Sequence, residues 1–299
     1  MDTYQKINTL YKRYQQIGGK SIELPNTKYR DMQNQIIIGN YSNPSFGYLF
    51  NTPWEGYSKV DGTNSKIAFW PSSGKIDVGG KTDKAESQSG QFEFLREIAN
   101  RIQPIMREMF PPSCAKFAPV KVNNAIAYSE MTNLDENIKP NKEGQYVVNL
   151  EEIPIYIYGE YYGKGIKSCG KRYIADSNDF RVFDINMQGW WLPSNMRNEY
   201  CEKLGLKQVP FLGIKTLAEW EQMVMEGFTT KVPDVSDPTL IEEGIVCRPS
   251  IPIRDTDGSR LIVKIKWGDY NKWKNARAKF SDEEFKSFNK WYCDNVETV

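Results

Sequence analysis

The stretch "YSKVDGTNSKIAF", Tyr57–Phe69, sets two readings of one lysine against each other. Asp61-Gly62 is a favoured two-residue hairpin turn, because both positions of such a turn must accept positive φ. The flanking "YSKV" and "SKIAFW" carry the aromatic and β-branched residues of strands. On this reading Lys59 is a solvated strand residue beside a bend. On the other, a lysine two residues ahead of Asp-Gly is a nucleophile held in place by the turn. A Lys-x-Asp-Gly match alone arises by chance in roughly one chain in twenty of this size, so the rest of the chain has to decide.

At 299 residues the chain is long enough for one large domain or two modest ones. Lys and Arg number 39 against 38 Asp and Glu, so attraction to a polyanion must come from a local patch and not from net charge. No apolar run is long enough to span a bilayer, and the N-terminus lacks the apolar core of a signal peptide. Five cysteines, at 114, 169, 201, 247 and 293, show no Cys-x-x-Cys spacing. That speaks against a disulfide framework or zinc site and for a reducing compartment, so a cytoplasmic protein without membrane partners is expected.

The chain has no histidine. This removes the side chain most used as general base and metal ligand near neutral pH, and with it the usual hydrolase triads and His-ligated zinc. An enzyme built from this sequence must work with Lys, Asp, Glu, Cys, Tyr or a metal that prefers oxygen ligands, such as magnesium.

The pattern predicts an α+β protein of antiparallel strands with helices between groups of them. A helix is expected over Thr3–Gln16, stopped by Gly18-Gly19, within a polar segment 1–36. Another is expected in "SGQFEFLREIANRIQPIMREMF", ending at Pro111-Pro112. Strands are expected in "KFAPVKVNNAIAYSEM", "GQYVVNLEEIPIYIYGEYYG" and "DFRVFDINMQGWWL". Helices then follow from Ser194 to Gly205 and from Thr216, where Glu219 completes a capping box. "EEGIVCRPSIPI" and "SRLIVKIKW" return to strand, and Ser281 with Glu284 caps a closing helix.

Three of these segments bear on Lys59. "IYGEYYGKGI" places Glu160 among apolar strand residues; an exposed edge carboxylate would look the same. "EEGIVCRP" places Glu243 just before a glycine and an apolar run. In "LIVKIKW" the period of two puts Ile262, Lys264 and Lys266 on one face, where paired lysines are usually solvated.

Taken in order, "KVDGTN", "YGEYYG", "FRVFDI", "EGIVCRP" and "VKIKW" resemble the motifs of the covalent nucleotidyltransferase superfamily of ATP-dependent ligases and mRNA-capping enzymes. The similarity is nearest to the RNA ligase 2 branch of phage and RNA-editing ligases, where the first motif ends in Thr-Asn, as at Thr63-Asn64. It covers roughly residues 55–85 and 155–267. The resemblance implies the nucleotidyltransferase (ATP-grasp-like) fold of antiparallel sheets with flanking helices. It divides the chain into a polar segment 1–36, an adenylyltransferase domain 37–267 and a short helical tail 268–299. Nick-sealing relatives continue into a further helical or OB-fold domain, whereas only 33 residues follow Lys266 here, so no full C-terminal OB-fold is expected.

The same resemblance implies the chemistry. Lys59 would attack the α-phosphorus of ATP to form a lysyl-N-adenylate, with Mg²⁺ (or Mn²⁺) as the metal. An unperturbed lysine has a pKa of about 10.4, so about one in a thousand is neutral near pH 7. Lys264 and Lys266 would crowd Lys59, favour its neutral form and neutralise the phosphoryl group in transit. Glu160 would hold the ribose and Phe183 would stack on adenine. Glu243, with Glu160, would position the metal, and Asn64 would sit near the phosphates. Lys81, in "VGGKTD", falls where the branch commonly has arginine, and Ser58 where some members carry a carboxylate that contacts adenine. The implied partner is RNA, as a nick, an end or an RNA/DNA hybrid, with no obligate protein partner. A small DNA ligase, a GTP-using capping guanylyltransferase and a non-catalytic nucleic-acid-binding relative are the alternatives. Finally, Arg260–Lys279 holds seven basic residues and one acid, Asp269, interleaved with Trp267, Tyr270 and Trp273. Such a segment either grips nucleic acid or packs a Trp face on the core, and the sequence leaves both open.

Overall fold

A computed structural model describes residues 4–15, 24–81, 90–119, 125–128 and 146–297 of the chain. The strands begin with β1 (Asn8–Thr9), β2 (Tyr11–Arg13), β3 (Ile36–Tyr41), β4 (Pro53–Ser58), β5 (Thr63–Trp70) and β6 (Lys75–Gly80). They continue with β7 (Phe117–Pro119), β8 (Ala125–Tyr128), β9 (Tyr146–Glu152), β10 (Ile155–Gly163), β11 (Asn178–Met187) and β12 (Trp190–Trp191). The last three are β13 (Phe211–Thr216), β14 (Gly244–Pro249) and β15 (Val263–Lys266). The helices are α1 (Pro44–Tyr48), α2 (Gln91–Met109), α3 (Gly170–Tyr173), α4 (Ser194–Lys203), α5 (Leu217–Glu226), α6 (Trp267–Arg277) and α7 (Asp282–Tyr292). Among the described residues no helix is long and apolar enough to cross a membrane.

The chain forms two compact units. One comprises residues 62–161 and 178–208 together with Tyr4; the other comprises 5–61, 162–177 and 209–299. The first unit is built on the sheet β12-β11-β10-β5-β6, with β7, β9 and β8 forming a smaller sheet. β5 pairs antiparallel with both β10 and β6. Helix α2 buries Leu95, Ala99, Ile102 and Met106, a three- and four-residue spacing that puts one stripe on the core. Its Gln91 donates to Ser65 Oγ of β5 at 2.7 Å.

The second unit is built on the sheet β1-β15-β14-β4-β13, in which only β1 and β15 are parallel. Trp54, Ile245, Cys247, Val263 and Ile265 from one face of this sheet pack with Leu217, Trp220 and Val224 of α5. Trp220 lies so close to β4 that a Cβ at Gly56 would fall 2.5 Å from its ring, so only glycine fits there. α5 starts with the expected capping box, Thr216 and Glu219 exchanging backbone–side-chain bonds, and Ser281 with Glu284 does the same for α7. A second, aromatic core joins Tyr14, Tyr29 and Met32 to Phe280, Phe288 and Tyr292.

Two expectations change. No helix occupies Tyr4–Gln15: the segment forms β1 and β2, because β1 finds an open edge of β15 to pair with and β2 pairs with β3. Tertiary pairing overrides local helix preference, and the expected stop at Gly18-Gly19 lies outside the described residues. Asp61-Gly62 does not close a hairpin either, since β4 and β5 belong to different sheets. The aromatic residues of α6 belong to the core: Tyr270 is 2% exposed, and Trp267 and Trp273 pack against the two clusters.

Candidate active site

In the second unit, β4, β14 and β15 set the site by register. Gly244 of β14 lies opposite Lys266 of β15, and the Lys59 N–H, just past the end of β4, donates to the Gly244 carbonyl at 3.0 Å. Lys59 and Lys266 therefore flank one glycine across three adjacent strands. With no side chain at Gly244, the strands approach closely: a Cβ there would lie 2.1 Å from the Ile265 carbonyl oxygen.

Glu243, the residue before this glycine, reaches both lysines. Its Oε2 is 2.5 Å from Lys59 Nζ and its Oε1 is 2.6 Å from Lys266 Nζ. All three side chains are partly shielded, at 21%, 32% and 18% exposed for Lys59, Lys266 and Glu243. The contact differs from two ammonium groups crowding a third. A carboxylate stands between Lys59 and Lys266 and pairs with both. Lys264 sits two residues before Lys266 and so on the same face of β15, opposite Val246 of β14 and Thr9 of β1.

Ser58 is buried and turned to a different partner. Its hydroxyl donates to Glu242 Oε2 at 2.9 Å, and that oxygen also accepts from Thr230 Oγ1 at 2.9 Å and the Lys231 N–H at 3.3 Å. The other oxygen, Glu242 Oε1, is buried without a hydrogen-bond partner. Burial raises the Glu242 pKa above the ordinary carboxylate value, with the hydrogen bonds opposing. The two adjacent carboxylates of "EEG" thus do different work: Glu243 meets the lysines and Glu242 ties Ser58 to the loop at Thr230.

Asp61 is fixed from both ends. Its N–H donates to the Tyr173 hydroxyl at 3.3 Å, and its carboxylate Oδ2 accepts from the Cys169 thiol at 3.1 Å. Burial and the Asp61 carboxylate push the Cys169 thiol up to about 12. Tyr173 is raised by burial and by the nearby Glu242 charge. Sequence reasoning missed Glu242, Cys169 and Tyr173. The double carboxylate of "EEG" was a visible signal for the first, while nothing local marks "SCGKRY" as a support for Asp61.

In the first unit, three of the expected residues share neighbouring rows of one sheet. Glu160 of β10 lies opposite Asn64 of β5, and Lys81 follows Gly80, which pairs with Ser65. Glu160 Oε1 accepts the Gly62 N–H at 3.2 Å. Asn64 Oδ1 is buried with no hydrogen-bond partner, an acceptor available to a ligand. Lys81 is exposed. Lys66, two residues along β5 from Asn64 and 1% exposed, was read only as a strand residue; its ammonium lies 5.9 Å from the Tyr156 ring centre. Phe183 is half-buried on β11, its ring edge-on to Tyr4 at 5.1 Å, and its carbonyl accepts from Arg197. Among the described residues no group of three or more acidic, Cys or His side chains could hold a metal alone.

Residues 52–266, more than two-thirds of the chain, match the family model described as RNA ligase. The chain belongs to the RNA ligase family. The matched region contains Lys59, Glu160, Glu243, Lys264 and Lys266 and ends on the last of these. A comparison with curated proteins finds no match. Among solved structures, this family member is similar to a Naegleria gruberi RNA ligase with PPi, with a TM-score of 0.48 and 17% identity over 78% of this chain. It spans 55% of the length of that ligase chain. A variant of the same ligase with ATP and Mn gives a TM-score of 0.49 at 14% identity, covering 93% of this chain and 64% of the other.

Proposed function

We propose that this chain is an ATP-dependent RNA ligase, with Lys59 as nucleophile and residues 37–267 as its adenylyltransferase region. The observation that carries the reading is the Lys59–Glu243–Lys266 contact at 2.5 and 2.6 Å, formed by the three family motifs on adjacent strands. In the first step the neutral Lys59 amine attacks the α-phosphorus of ATP. A P–N bond forms, the bond to the β-phosphate oxygen breaks, pyrophosphate leaves with its electron pair, and the attacking nitrogen releases one proton to solvent. The adenylyl group then passes to the 5′-phosphate of an RNA end and restores the amine. A 3′-hydroxyl displaces AMP and seals the strand. Each transfer replaces one difficult condensation by an easier displacement.

The carboxylate between the lysines pairs with both amines. Lys266 would turn to a bound polyphosphate and Glu243 would hold a divalent cation, which would release Lys59 from its ion pair. Mg²⁺ or Mn²⁺ fits this donor set, because Mg²⁺ usually binds through one or two carboxylates, substrate phosphates and waters, not through an all-protein cage. Glu243 would be the protein ligand in the second unit and Glu160 in the first. The metal would supply charge neutralisation at the phosphates. Asn64, Lys81 and Phe183 are assigned to the phosphates and the base, and Lys264 with Lys266 to the α-phosphate. Ser58 acts through Glu242.

Incubation with α-labelled ATP and a divalent cation, followed by denaturing electrophoresis, tests this. Retained label on the wild type and none on Lys59→Ala is expected. Label only from GTP would favour a capping enzyme, and none from either nucleotide would favour a binding protein. Sealing of nicked RNA, an RNA/DNA hybrid and single-stranded ends then identifies the substrate.

A further inference from the structure

A cavity of about 400 Å³ opens beside β15 in the second unit, and its walls are unusually basic. Lys6, just ahead of β1, and Lys12 and Arg13 of β2 line it together with Lys264 and Lys266. The one acidic wall residue is Asp269, which Arg13 engages at 2.5 Å. Five cations against one carboxylate is a strong local excess in a chain whose net charge is +1. Lys6 and Lys12 are exposed, as befits groups that meet a ligand from solvent.

The groove is continuous with the proposed site, since Lys266 both lines it and contacts Glu243. Its direction follows from register. Thr9 lies opposite Lys264 in a parallel pair, so Lys6 is five residue steps from the level of Lys266. At about 3.3 Å per residue that is roughly 16 Å of extended chain. A polyphosphate tail bound at Lys266 would not reach so far, whereas a polynucleotide presents a phosphate at every residue. Lys6, Lys12 and Arg13 lie outside the matched region 52–266.

We infer that this groove binds the sugar-phosphate backbone of a single RNA strand and leads its end toward Lys264 and Lys266. The inference rests on the RNA ligase reading and names the residues that hold its substrate. Basic side chains on a phosphate backbone act by releasing counterions, at about 0.7 of an ion per contact for single strands.

The test compares full-length wild type with Lys6→Gln/Lys12→Gln, both exposed positions, and with Lys286→Gln/Lys290→Gln, which removes two exposed charges from α7. Binding of a 5′-phosphorylated single-stranded RNA is followed by fluorescence anisotropy at several salt concentrations without ATP, and KM for ATP is measured by self-labelling. For the groove variant, weaker RNA binding is expected, with the slope of log K against log salt reduced by about 1.4. KM for ATP should stay within twofold and the α7 variant should bind like wild type. An unchanged slope, an equal loss in the α7 variant, or a raised KM with RNA binding intact would overturn the inference. RNA binding is measured without nucleotide, so a wild type that fails to self-label refutes the ligase reading separately.

Discussion

Replacing Gly244 by alanine puts a methyl group where two strands leave no room for one. The added Cβ would stand 2.1 Å from the Ile265 carbonyl oxygen and 2.9 Å from Lys266 Cα, against 3.4 Å for an ordinary contact. Both obstacles are backbone, so no side chain can swing aside, and β14 must part from β15 by about 1.3 Å. Ladder bonds near 2.9 Å would then exceed 4 Å and cease to be hydrogen bonds. Two such bonds at about 1 kcal/mol each, with about 1–2 kcal/mol of residual strain, give a loss of about 3–4 kcal/mol. Activity should fall further than stability, because the same opening separates Lys266 from Glu243, and a misplacement of about 1 Å costs about a hundredfold. Gly268→Ala is the control: it lies in α6 with nothing within 4 Å, and should gain about 0.5–1 kcal/mol of helix propensity. Urea unfolding and label retention from α-labelled ATP read both quantities. A Gly244→Ala protein with the wild-type midpoint and wild-type labelling would refute the claim that this close approach sets the site.

Other consequences concern groups away from the lysines. Glu221 is buried, and its two oxygens accept from Tyr11 and Tyr270 at 3.0 Å each; burial raises its pKa from 4.5. The folded state therefore holds this proton more tightly than the unfolded chain, and the stability it contributes is full below pH 4.5 and lost as pH rises through the folded value. Thermal melts from pH 4 upward should show the wild type losing ground to Glu221→Gln over that window, and parallel curves would contradict the assignment. Alkylation at pH 8 should label exposed Cys114 and Cys293 first. Cys169 and Cys201, both pushed up to about 12, should react on the order of a thousandfold more slowly than an ordinary thiol of pKa about 8.5. Peptide mapping in which Cys169 keeps pace with Cys114 would rule out the buried contact with Asp61.

Much of the fold was legible because it is written in local chemistry. The capping boxes at Thr216 and Ser281 and the apolar spacing of α2 were readable without coordinates. So was the alternation in "LIVKIKW", which places Val263 and Ile265 inside and Lys264 and Lys266 on the other face. What failed depended on distant partners. Residues 8–13 carry no strand signal of their own, and become strands because β15 and β3 offer edges. Asp61-Gly62 looks like a hairpin, yet its flanking strands find other partners, a choice no short window records. The site shows the same division. Lys59, Glu243 and Lys266 were nameable from motif order, but the carboxylate shared between the two amines, the Ser58–Glu242 pair and the basic groove from the N-terminal strands are products of assembly.

The order of the central sheet has a consequence for the chain as it is made. Lys59 leaves the ribosome early, while Glu243 and Lys266 lie 184 and 207 residues downstream. At synthesis rates of 5–20 residues per second, about 10–40 s pass before the last of them exists. β1 waits longer still for β15, and Tyr14 for Phe288. An incomplete chain therefore carries Lys59 without the carboxylate and second lysine that it meets in the folded protein.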